Sequence, residues 1–178
     1  MLNMTIAEFV RKSKTIRKGD KIGTYDPSPI SRADWTEFAT AHKAEIISYF
    51  DQKAAEEKRI RDERQAKIDA IPGLAEIRAA VRDEERYRHE FDKMMEDEGN
   101  DGAFPPKRPE VSSDALKKQY PRAAAYLLAE EWKYSEHHVK AAAGESAIEQ
   151  IINGDNCDAV IARMKKTFSD YCEEHIWD

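Results

Sequence analysis

Hydrophobic positions along the chain recur mostly at helical spacing, with one short stretch of a different kind near the start. Thr5-Ile6-Ala7-Glu8 has the form of a capping box, and Ile6, Phe9 and Val10 supply one face of a short helix. KTIRKGDKIGTYDP breaks that period. Its Gly19-Asp20 pair lies between segments holding Ile16 and Ile22 with Tyr25, which predicts a small hairpin, marginal on two strands alone. Asp26-Pro27-Ser28-Pro29 is extended or turning, since each proline pushes its predecessor out of the α region. Ser31 then caps a helix, with Asp34 three residues on and Trp35 and Phe38 on its buried side. Ile46, Ile47 and Phe50 continue the pattern, in the same helix or in a second one after a bend.

Residues 51–67 hold eleven charged residues and one large apolar residue, Ile60, so a solvent-exposed helix is expected rather than a coiled coil. Glu57–Arg61 and Glu63–Lys67 have favourable i,i+4 spacing. Ile71-Pro72-Gly73 breaks that helix. Leu74, Ile77, Val81, Tyr87, Phe91, Met94 and Met95 mark an amphipathic helix to about Glu98. Gly99-Asn100-Asp101-Gly102 ends it, and a loop runs on through Pro105, Pro106 and Pro109. Ser112 or Ser113 caps the next helix, which carries Leu116 and Tyr120.

From Tyr120 to Ile152, the large residues Leu127, Leu128, Trp132, Tyr134 and Val139 point around most of a helical circumference. Such a helix is normally buried among others, so one central helix is expected, with Pro121 in its first turn and Gly144 marking a bend. Asn153-Gly154-Asp155 turns the chain. Asp155 is expected to cap a last helix whose inner side is Val160, Ile161, Met164, Phe168, Tyr171 and Cys172. The pattern predicts a mainly α fold, a helical bundle with a small N-terminal helix–β-hairpin–helix module. Its expected parts are residues 1–53, a charged connecting helix over 54–73 and a bundle over 74–178.

A hydrophobic content of 40% beside 36% charged residues means a highly charged folded protein rather than a disordered one. The longest apolar run, Ala123 to Ala129, is far too short to span a membrane. MLNMTIAEFVRKSK places apolar residues before charges, the reverse of a secretory signal, so the cytoplasm is the expected location. Cys157 and Cys172 would lie about 22 Å apart along one helix, too far to bridge, and are expected as reduced core residues.

The net charge of −6 is unevenly dealt: residues 1–32 hold seven Lys/Arg against three Asp/Glu, and the remainder is acidic. Arg11, Lys12, Lys14, Arg17, Lys18 and Lys21 form a candidate phosphate-binding strip, although basic hairpins are also common on solvated faces. Asp83 to Asp101 holds nine acids against three bases. Its Asp83, Glu84, Glu85, Glu90, Glu96, Asp97 and Glu98 are candidates to occupy a basic groove on a protein partner, or simply a solvated face. Ala147 to Phe168 has a helix-turn-helix outline that an αα-hairpin explains equally well. Cys172-x-x-His175 is half of a zinc pattern with no matching second half, and Glu85 with His89 reads as a surface pair. With no Gly-rich phosphate loop, no G-x-S-x-G and no cysteine with an obvious catalytic partner, neither catalysis nor a metal or cofactor is expected.

Two resemblances add to this reading. GDKIGTYDPSPIS followed by AHKAEIISYF resembles the N-terminal docking domains of the tubulysin-synthetase type, where a Gly-Asp hairpin precedes a helix ending in His-Lys-x-Glu-Ile/Leu. The likeness covers residues 1–53 and implies a non-catalytic, dimerising module, hence a homodimer. YPRAAAYLLAEEW, EQIINGDN and the terminal EEHIWD are similar to stretches of small accessory proteins of phages and other mobile elements. A branch of these is similar to anti-CRISPR proteins that inhibit the type II-A RNA-guided DNA nuclease. Over most of residues 70–178 that resemblance implies a non-catalytic inhibitor, with the nuclease and its guide RNA as partners and double-stranded DNA as a further contact. It assigns no individual residues.

Overall fold

The computed structural model describes residues 4–25, 30–96 and 106–175, and it is 75% helical, the mainly α architecture expected. In chain order it consists of α1 (Ile6–Lys12), β1 (Thr15–Lys18), β2 (Lys21–Thr24), α2 (Arg32–Ala41), α3 (Lys43–Asp69), α4 (Leu74–Glu96), α5 (Ser113–Gln119), α6 (Pro121–Lys133), α7 (His138–Ile152) and α8 (Cys157–Glu174). The chain forms two compact units, residues 1–63 and 64–178, and α3 begins in the first and ends in the second. Residues 26–29, 97–105 and 176–178, on which several sequence expectations fall, lie outside the described residues.

The first unit is built on aromatic packing. Phe9 of α1 is fully buried, with its ring 4.4 Å from that of Phe38 and 6.3 Å from that of Trp35. Ile30, Ala39 and Ile46 complete the buried cluster. The expected capping box of α1 forms, Glu8 N donating to Thr5 Oγ1 and Thr5 N to the Glu8 carboxylate. Ser31 caps α2 by accepting from Asp34 N at 3.1 Å. Of the two alternatives for Ile46 to Phe50, the second helix is the one that forms: α2 stops at His42, whose ring lies 4.4 Å from that of Phe38.

Two hydroxyls are buried beneath the hairpin, and a directed chain of hydrogen bonds satisfies both. Trp35 Nε1 donates to Thr15 Oγ1 at 3.0 Å, and Ser13 Oγ donates to the Phe9 carbonyl at 2.6 Å. Each hydroxyl has a single proton, so the remaining 2.5 Å contact must run from Thr15 to Ser13. Thr24 Oγ1 donates to the Ser13 carbonyl. This network ties both strands to α1 and α2, which a free two-stranded ribbon would lack.

Residues 51–63 of α3 are exposed. Their ion pairs differ from the expected ones: Arg59 bridges Glu56 and Glu63, while Glu57 meets Lys53.

In the second unit, Ile68 and Ile71 pack with Leu74 and Ile77 of α4 and with the inner faces of α6, α7 and α8. Gly73 permits the turn after α3, with φ of +78° and the Tyr120 ring where a Cβ would stand. The expected single central helix is instead two. α6 ends at Lys133, α7 starts at His138, and the pair folds into an αα-hairpin in which Tyr134 is 76% exposed. Apolar residues circle a single helical wheel only because two faces, turned toward each other in the fold, are laid on it together. Gly144 lies within α7, buried where that helix packs closely on α6. Asn156, not Asp155, caps α8, its side chain accepting from Ala159 N at 3.0 Å. Both cysteines are free thiols; Cys157 is half-buried against the core, whereas Cys172 is exposed rather than a core residue. Phe91 and Met95, expected on the inner side of α4, are 36% and 64% exposed.

Candidate functional site

Strand alternation sorts the basic residues of the hairpin. Gly19 takes the positive φ (61°) that the first central position of a tight two-residue turn needs, and this closes the register. Lys18 then stands opposite Lys21, and Ile16 opposite Gly23. Successive side chains point to opposite faces. Ile16, Lys18, Lys21 and Gly23 therefore share the outer face, with exposed Tyr25 next along the chain. Thr15, Arg17, Ile22 and Thr24 share the inner one.

Of the six basic residues, Arg17 is thereby set on a different face from Lys18 and Lys21. Arg17 is engaged inside the fold: Nε donates to the Gly19 carbonyl at 2.7 Å, and Nη1 reaches the Ile47 carbonyl at 3.3 Å and the Asp51 carboxylate. Lys14 sits in a left-handed turn, with φ of 46°. Arg11 and Lys12 occupy the last turn of α1, where cations favour the helix C-terminus. Arg11 also lines a groove with Tyr49 and Lys53. Lys18 and Lys21 stand directly opposite each other as an exposed pair.

A second groove, of about 340 Å³, runs between β2 and the α2–α3 corner. Ile22, Trp35 and Ala39 form its apolar floor, and Lys21 and Lys43 stand at its rim. Sequence reasoning passed over Lys43 and Gly23. Alternation counted from Thr15 would have separated Arg17 from Lys18 and placed Gly23 among the outward residues.

The acidic candidates divide as well. At about 100° per residue, Glu85 and Glu96 of α4 share one side with Asp92, whereas Asp83 and Glu90 lie almost opposite. Glu84 accepts from Ser113 N and Ser113 Oγ, both at 2.7 Å, and so holds the start of α5. These bonds favour the carboxylate and hold its pKa below the ordinary 4.5. Asp83 pairs with Arg86 at 3.5 Å. Asp97 and Glu98 lie outside the described residues.

At one end of the second unit the His137 ring stacks 5.4 Å from that of His138, with Phe168 and Tyr171 edge-on to it, and His175 stacks 4.2 Å from Tyr171. Among the described residues no group of three or more His, Cys, Asp or Glu is placed to hold a metal ion. Nor is any described helix long and apolar enough to cross a membrane. Comparison of the chain with protein-family models, with curated proteins and with solved structures gives no match.

Proposed function

We propose that this protein is a non-catalytic inhibitor that acts in the cytoplasm by occupying an RNA-guided DNA nuclease of the CRISPR type, loaded with its guide RNA. The hairpin of the first unit supplies a contact to nucleic acid. The observation that carries this reading is the exposed pair Lys18 and Lys21, set directly opposite each other at the hairpin tip. Like charges in that position oppose strand pairing, and a phosphate bound between them removes the repulsion.

The second unit, with 24 Asp/Glu against 17 Lys/Arg, has the sign that suits a basic channel built to hold a nucleic-acid duplex. Its acids are spread over several sides of α4, which favours contact with a broad basic surface over imitation of one phosphate row. Such a protein works by binding alone.

Size-exclusion chromatography of the purified chain with the guide-loaded nuclease tests this directly. Co-elution supports the reading, and separate elution at micromolar concentrations of both rules it out.

A further inference from the structure

We infer that the outer face of the β1–β2 hairpin is a binding site for single-stranded nucleic acid, with Tyr25 as its stacking platform and Gly23 as the point of close approach. This rests on the proposal that the hairpin contacts nucleic acid and goes further by naming the form it takes.

Gly23 is the decisive residue. A glycine inside a strand weakens it, and is usually kept for a bulge, a bend or a close approach. Gly23 pairs in register with Ile16, so it forms no bulge. It has no positive φ, and a Cβ built on it meets nothing within 4 Å. Nothing in the described fold requires a glycine there. A ligand that comes close to the backbone on that open side gives the glycine a use.

The neighbours identify the ligand's chemistry. Tyr25 is 82% exposed, although a tyrosine of that size ordinarily finds some cover. Ile16, 36% exposed, stands opposite Gly23. Lys18 and Lys21 supply two cations at the tip. An aromatic ring, a flat apolar step and paired cations together match an unpaired strand, whose bases stack and whose phosphates seek cations. Duplex DNA keeps its bases stacked upon one another and offers Tyr25 nothing comparable. A second copy of the chain fits poorly, because a symmetric pairing of this face would bring two pairs of lysines together.

The test uses fluorescence anisotropy of the full chain with a labelled twelve-nucleotide DNA strand, the same RNA strand and the corresponding duplex, at low salt. Single strands should bind at least several-fold more tightly than duplex, and the two single-stranded arms show whether DNA or RNA is preferred. Tyr25→Ala should weaken single-strand binding roughly tenfold and leave duplex binding little changed. Gly23→Val should weaken it comparably while Tm holds or rises, because valine suits a strand and packs beside Ile16. Equal or tighter duplex binding, no single-strand binding, or binding indifferent to both substitutions would overturn the inference. Nuclease co-elution is measured without free oligonucleotide, so it can stand or fall separately.

Discussion

Gly144 of α7 packs so closely on Ala129 of α6 that a Cβ added to it would lie 2.6 Å from the Ala129 carbonyl oxygen and 2.4 Å from Lys133 N. Both obstacles are backbone, so no side chain can swing aside. Gly144→Ala gains about 1 kcal/mol of helix propensity. Prising the two helices apart costs more, so a net loss of about 2 kcal/mol is expected. Thermal unfolding measures this, and a Tm equal to or above wild type would show that the α6–α7 contact is looser than described.

Arg17 and Lys18 are neighbours with separate tasks. Arg17→Ala removes the guanidinium that binds the Gly19 and Ile47 carbonyls and Asp51, and should cost about 1–2 kcal/mol of stability. Lys18→Ala should leave stability within about 0.5 kcal/mol. Urea unfolding of both variants checks the contrast, which would be reversed if Arg17 faced solvent.

Glu84 and Glu145 make stability depend on acid. Ser113 bonds hold the Glu84 carboxyl below its ordinary value, and the Lys133 ammonium, with Arg64 nearby, does the same for Glu145. A group depressed in the folded state contributes stability above its unfolded pKa. That contribution is lost as pH falls through the folded value. Both carboxyls should therefore add nothing to the pH dependence between 6 and 8, and should weaken the fold below the ordinary 4.5. Glu84→Gln combined with Glu145→Gln should flatten the acid limb of Tm against pH. An unchanged limb would mean that other carboxylates set it.

Much of the fold was legible because its signals are local. The Thr5–Glu8 box, the Ser31 cap and the Gly19-Asp20 turn each depend on residues within four positions of one another. The break between α6 and α7 was not legible, since Tyr134 to His137 contains no proline or glycine and the chain reverses there through tertiary packing. The close packing at Gly144 was hidden for the same reason, since its neighbours belong to α6. At the site, a count of charges found the basic hairpin but could not tell Arg17, turned inward to Asp51, from Lys18, turned out beside Lys21. The period of two in the strands held that information.

Salt dependence offers a separate check on the lysine pair. Two phosphates neutralised on a single strand imply a log–log slope of affinity against salt near −1.4, from roughly −0.7 each. Lys18→Glu with Lys21→Glu should abolish the binding, and exposed lysines are individually worth well under about 1 kcal/mol, so the fold should persist. Anisotropy at 50 and 200 mM salt measures the slope. A value of roughly −3.5 would mean that Arg11, Lys12 and Lys14 join the contact.

Cleavage of a target DNA by the guide-loaded type II-A nuclease, titrated with the full chain, tests the central claim most directly. Inhibition should be stoichiometric, saturating near one chain per nuclease, and the Lys18→Glu/Lys21→Glu variant should inhibit less well than wild type. Undiminished cleavage at a large molar excess of the chain would contradict the account.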